Sequence, residues 1–232
     1  MRGLGTLVNV VAIVGGTLLG LAIGSRIPER VRTTLIDAVG LSVIVLGVSD
    51  ALKTENLVFP LVSLVVGGMI GEALAVEERL EGLGERIRLR VAKRGRREHA
   101  TFVEGFVNAS LLFCVGPLMV LGSIADGLGL GAQKLVVKSA LDGFVSVVFA
   151  STLGIGVAFS AISVGVLQGT VTALAGLADR VLTERMVTEM TATGGLMIVG
   201  IGVRLLETRR VRVGSLLPAL LIAPVGVSLF VR

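Results

Sequence analysis

Apolar residues along this chain come in long, nearly unbroken runs. They follow neither the 3.6-residue stripe of a surface helix nor the alternation of a half-buried strand. Runs at about 4–24, 35–52, 57–76, 103–125, 137–158, 162–178, 190–206 and 213–231 each approach the roughly 20 helical residues that cross a hydrocarbon layer about 30 Å thick. Residues 139–178 form one stretch whose only markedly polar members are Asp142 and Gln168. As a single helix, at about 1.5 Å per residue, it would be twice the layer's thickness. A tight turn near Ser160–Ser163 is therefore expected to divide it. The pattern predicts an all-α integral membrane protein of about eight transmembrane helices, a single polytopic domain over 1–232.

Residues 77–98 break this pattern. Leu80, Leu83, Ile87 and Val91 recur at helical spacing among Glu and Arg residues. This predicts an amphipathic cytoplasmic helix lying on the inner surface, its arginines toward anionic lipid. A solvated anchoring face is the plain account of it, and a regulatory or partner-binding arm the functional one.

A weak internal repeat orders the spans. At one constant offset, Gly40-Leu41 falls on Gly195-Leu196, Gly47-Val48 on Gly202-Val203, Leu61 on Leu216 and Gly71 on Gly226. With a two-residue slip, Gly16-Thr17 falls on Gly169-Thr170 and Leu21-Ala22 on Leu174-Ala175. The first repeat then covers 1–76 and the second 162–232, with central helices at 103–158. Each span and its copy would cross in opposite senses, the inverted architecture that recurs in secondary transporters. Gly16, Gly20 and Gly24, like Gly67 and Gly71, form small-residue faces that let helix backbones approach closely.

Charge orients the spans. With the amino terminus outside, 15 of the 22 basic residues fall in inner loops, around Arg26–Arg32, Arg79–Arg97 and Arg204–Arg212. The positive-inside rule then puts both termini outside. A hydrophobic fraction of 53% and a charged fraction of 17% fit lipid as the medium. The net charge of +5 has no aromatic or groove-reading element beside it, which excludes nucleic acid as a partner. One cysteine, Cys114, and one histidine, His99, exclude disulfides and Cys/His zinc sites. No cofactor is expected.

Polar residues inside the spans carry the candidate chemistry. A charge at a helix centre costs about 2.5–3.5 kcal/mol on insertion scales, so it faces protein or water. Glu104 and Asn108 share one face of the fourth span, which Gly116 and Pro117 then interrupt. A discontinuous helix of this kind exposes carbonyls and half-helix ends that can hold an ion, although a simple structural kink explains it equally well. Asp142 lies one turn beyond Lys138, so an internal i,i+4 pair is its plain account. With Lys138 turned to the surface, Asp142 would be a cation ligand. Gln168 and Asn9 are expected to hydrogen-bond across helices. Glu72 lies near a boundary, and Glu189 and Asp37 lie at span starts where helix dipoles explain them.

The runs GTLVNVVAIVGGTLLG (5–20), GGMIGE (67–72), SLLFCVGPLMVLGSIADG (110–127), LQGT (167–170) and TEMTATGGLMIVGIG (188–202) resemble the YqgA/YdfK-like family of bacterial polytopic membrane proteins, a domain of unknown function. The resemblance implies a multi-pass protein of the bacterial inner membrane and no substrate or catalytic residue.

The leading expectation is a secondary transporter or ion-coupled carrier of a small solute, using Glu104, Asn108, Gly116, Pro117, Asp142 and Gln168. The alternative is a non-transporting scaffold or regulatory factor that binds protein or lipid through 77–98, with Arg94, Arg96 and Arg97. An enzyme is not expected. Asp126-Gly127 and Asp142-Gly143 hint at an aspartyl pair but lack the pattern of intramembrane aspartyl proteases. Expected partners are the lipid bilayer and a small solute or cation, and a homo-oligomer is compatible with the chain.

Overall fold

The computed structural model describes residues 2–24, 26–91 and 96–230, and among them it is all-helical with no strand. The helices are α1 (Leu4–Gly24), α2 (Glu29–Ala51), α3 (Val58–Ala73), α4 (Val76–Val91), α5 (Arg96–Cys114), α6 (Pro117–Gly127), α7 (Gln133–Leu153), α8 (Gly156–Ala173), α9 (Ala175–Val181), α10 (Glu184–Leu205) and α11 (Ala219–Phe230). A short 3₁₀ turn, Val213–Leu216, leads into α11. Among the described residues, six segments are long and apolar enough to cross a membrane. The number becomes eight if the bent pairs α3–α4 and α5–α6 each count as one crossing. The side chains of Arg96, Arg97 and His99 lie outside the described residues, as do Lys93 and Arg94.

Glycine faces set the packing. A Cβ on Gly20 would meet the carbonyl of Val147, and one on Gly24 would lie 2.7 Å from the Ser151 oxygen. Gly5 meets Leu135 at the other end, so α1 and α7 run parallel along their length. In the second large contact α2 lies antiparallel to α10. Gly40 meets Gly202 and Leu206, and Gly47 and Gly195 each put a would-be Cβ 2.6 Å from the other's oxygen. Antiparallel α3 and α11 meet where Gly67 faces Ala219 and Gly71 faces Ser215.

The interrupted fourth span is real, and its cause is local. Gly116 holds φ 139° and ψ 156°, a region open essentially to glycine alone. Pro117 is the first residue of α6, where its missing N–H leaves no bond unmade, so the penalty of an interior proline does not arise. The two halves meet at 64°. Both keep company with α8 in one direction: Gly105 packs at Leu153 and Val157, Ser110 bonds Ser163 at 3.0 Å, and Gly127 packs on Thr172. They are one crossing with a break, not a hairpin that returns.

The turn between α7 and α8 lies at Gly154–Ile155, not near Ser160–Ser163. Gly154 supplies the φ of +78° that ends α7. Ser160 stands inside α8, its hydroxyl donating to the Val157 carbonyl at 2.7 Å.

α4 is turned toward the protein more than the sequence pattern implies. Leu80 and Ile87 pack against the core, and Gly84 lies against the Phe106 ring. Its acidic residues, with Glu72 of α3, are tied to the last turn of α10 and to the segment that follows it. Arg204 Nη1 reaches Glu77 Oε1 at 2.7 Å, Arg210 reaches Glu81 at 2.7 Å, and Arg212 pairs with Glu72 at 2.8 Å and with Glu78. Glu77, 3% exposed, also accepts the Gly214 N–H.

Two predictions follow from this packing. Gly47→Ala should lower the thermal midpoint of the detergent-purified protein, since overpacking costs about 1–3 kcal/mol. Gly15→Ala, with nothing within 4 Å, should leave it unchanged or raise it slightly. Arg204→Met leaves Glu77 buried and unpaired, a loss of about 3–5 kcal/mol. Adding Glu77→Gln should return much of that loss, read as a non-additive double-mutant cycle in the same unfolding assay.

Candidate functional site

The close approach of α1 to α7, with α8 laid against α1, brings together polar side chains far apart in sequence. Asn9 Nδ2 donates to Asp142 Oδ2 at 2.9 Å and to Gln168 Oε1 at 3.0 Å. Lys138 pairs with Asp142 one turn away, as the i,i+4 spacing predicts. Asn9 and Gln168 are fully buried, and Lys138 and Asp142 nearly so. The Lys138 ammonium also stands 5.9 Å from the centroid of the Phe113 ring, on the last turn of α5 before the break. Such a cluster is tolerable in an apolar interior because each charge has a partner. Its pairing is nonetheless incomplete: Asn9 Oδ1 and Gln168 Nε2 are buried without one.

The cluster lies between cavities at opposite ends of the same helices. At the Leu4 end of α1, a cavity of about 620 Å³ is lined by Arg2, Thr6, Gly127, Gly169 and Thr172. Thr6 and Thr172 are one turn outward of Asn9 and Gln168, and both hydroxyls lack partners. At the Gly24 end, a cavity of about 760 Å³ is lined by Arg32, Glu104, Ser151, Thr152, Gly154 and Glu207. Glu104 is shared with a neighbouring cavity of about 650 Å³ that also meets Glu78, Glu81, Glu85, Arg204 and Arg210.

The six residues singled out from the sequence thus divide. Asp142 and Gln168 meet through Asn9. Glu104 does not join them; it faces the Gly24-end cavities, about 15 Å along α5 from the break. Asn108 is fully buried with neither amide atom hydrogen-bonded, an arrangement that costs about 1–3 kcal/mol per orphaned group. Gly116 and the start of α6 at Pro117 shape the break, and Phe113 on the turn before it stands beside Lys138; the side chain of Pro117 is outside the described residues.

Other polar residues hold unexpected positions. Glu189 lies in the second turn of α10 and is fully buried. It accepts from Thr54 Oγ1 at 2.6 Å and from the Glu55 N–H at 3.3 Å, so direct hydrogen bonds, and not a helix dipole, account for it. Asp126 is buried in the last turn of α6, where it accepts the Gly5 N–H at 3.1 Å. Glu189 was legible only as an acid at a span start, and nothing in the sequence singled out Glu77, because the partners that bury them are more than a hundred residues away. Cys114 is free and buried. Among the described residues, no group of three or more His, Cys, Asp or Glu side chains could hold a metal ion.

A family model described as "Protein of unknown function (DUF554)" matches residues 4–228. The chain is 30% identical over 227 residues to the uncharacterized membrane protein YdfK of Bacillus subtilis (strain 168), covering 95% of this chain and 94% of that one. It is 29% identical over 221 residues to the uncharacterized protein YqgA of Escherichia coli (strain K12), with the same coverage of each chain. No solved structure matches. A match over nearly the whole length, joined to six to eight apolar helices, makes this chain a multi-pass membrane protein of the DUF554 family.

Proposed function

We propose that the protein is a secondary carrier of a small solute or ion in the bacterial inner membrane, working by exposing one buried polar site to the two sides in turn. The observation that carries this proposal is the Asn9–Asp142–Gln168 cluster, closed from both sides and flanked by cavities at opposite ends of the bundle. An intramembrane carboxylate bonded to Asn9 of α1, and through it linked to Gln168 of α8, is a functional feature by default, since apolar residues fill a structural role at less cost.

Inverted repeats supply the mechanics. In the repeat alignment Gly40 is equivalent to Gly195, and Gly47 to Gly202. In space Gly40 lies on Gly202 and Gly47 on Gly195. That crossed pairing supports the reading: it is what a two-fold axis between α2 and α10 would give, each contact becoming the other under the symmetry operation. The bare backbones at this seam would let the halves rock against each other with little side-chain interlock. Loop charges favour an orientation with the Gly24 end inside and both termini outside. The cavities that Glu104 lines would then be the inner entrance, and Asp142 with Gln168 the binding site. This is transport chemistry and not enzyme catalysis. A scaffold acting through 77–98 has less support, because Leu80, Ile87 and several α4 carboxylates face the rest of the chain.

Reconstituted into liposomes and tested against a panel of inorganic ions and small metabolites, the protein should give a flux that Asp142→Asn abolishes. Glu104→Gln should slow that flux without removing it. A flux indifferent to Asp142→Asn would overturn the assignment. Cysteine labelling that found the two termini on opposite faces would remove the inverted symmetry.

A further inference from the structure

We infer that Asp142, Asn9 and Gln168 form a binding site for a small monovalent cation, and that Lys138 is a tethered competitor occupying it in this conformation. The inference deepens the carrier reading by naming its cargo or coupling ion, and rests on that reading for its place in a transport cycle.

Three features of the cluster lead there. First, its seat already holds positive charge: the Lys138 ammonium pairs with Asp142 in a nearly water-free position. Exchanging one single charge for another leaves the net charge of the interior unchanged. A divalent ion would have one carboxylate against two charges, and the described residues offer no larger acidic or Cys/His group there.

Second, the cluster can supply hard oxygens, the donors suited to such ions. Asn9 Nδ2 sits 2.9 Å from a carboxylate oxygen and 3.0 Å from an amide oxygen, itself in the position of a small positive centre. The opposite atom of that amide, Oδ1, has no partner, so turning the amide over breaks no bond on its far side. After the turn, an oxygen of Asn9 converges with those of Asp142 and Gln168, one from each of α1, α7 and α8. Gln168 Nε2 remains free to hold a water on the ion.

Third, the displaced ammonium has somewhere to go and the ion has a way in. Lys138 lies near the Phe113 ring, whose face attracts cations. Phe113 precedes the Gly116 break, so the movement of Lys138 is felt at the one joint in the fourth span. The cavity lined by Thr6, Gly169 and Thr172 ends one turn from Asn9 and Gln168, and its unpartnered hydroxyls can pass a partly hydrated ion inward.

The test uses the full chain in detergent, with sodium as the probe. Equilibrium ²²Na⁺ binding and thermal midpoints are measured in NaCl against choline chloride at equal ionic strength. Wild type should bind weakly, because Lys138 holds the competent fraction low. If that fraction is below a tenth, Lys138→Met should tighten sodium binding by about tenfold or more. Asn9→Ala should weaken it in the Lys138→Met background. Lys138→Met with Asp142→Asn, which leaves no lone buried charge and so should fold, should show no sodium dependence. Sodium binding no tighter in Lys138→Met than in wild type would sink the inference, as would binding that survives in the doubly neutralised variant. Because binding is read without flux, sodium binding that depends on Asp142 in a protein moving nothing across liposomes would uphold the site and remove the carrier reading. An Asp142-dependent flux without sodium binding would do the reverse.

Discussion

Helices in lipid gain nothing by hiding apolar side chains from their surroundings, since hydrocarbon is as apolar as they are. What holds them together is close van der Waals contact of backbone on backbone, and this requires surfaces without side chains. The chain meets that requirement at three seams: Gly16, Gly20 and Gly24 of α1 against α7, Gly40 and Gly47 of α2 against Gly195 and Gly202 of α10, and Gly67 and Gly71 of α3 against Ala219 and Ser215. The rest of the molecule hangs on these seams. Because α1 lies so near α7, Asn9 can reach Asp142; because α8 crosses α1 near Val10 and Gly165, the same amide also reaches Gln168. The polar centre is a product of glycine placement far more than of loop geometry.

Elsewhere in the interior, buried polar side chains lack hydrogen-bond partners. Asn108, with both amide atoms orphaned, could be replaced by an apolar residue of similar size at a gain in stability. Thr17, Ser123 and Thr172 carry similar orphans. The glycine break lies in the same helix pair as Asn108 and Ser123. A fold selected only for durability would close such positions with leucine.

How much was legible in the sequence differs by level. Span existence was, because hydrocarbon thickness dictates run length: α1 spans Leu4–Gly24 as the apolar run does. The break at Gly116-Pro117 was visible because no other residue pair so strongly ends one helix and starts another. The turn dividing 139–178 was misplaced by several residues. Two serines look like punctuation, yet Ser160 satisfies itself on the Val157 carbonyl within α8, while Gly154 takes the positive φ that ends α7. The Lys138–Asp142 pair could be read from local spacing. Its joining to Asn9, the separation of Glu104 from it, and the burial of Glu77 and Glu189 could not, because each depends on which helices are neighbours, and composition leaves that open.

The carboxylates of α4 grip Arg204, Arg210, Arg212 and the Gly214 amide, while α1 lies on α7, α2 on α10 and α3 on α11. Every helix preceding the α4–α5 connection thus has its main partner beyond it. The two portions of chain are interleaved, not set side by side, so neither has a complete interior alone. A nick at that connection would leave them clasped as a non-covalent pair. Equally, the two portions made as separate chains could assemble the same object.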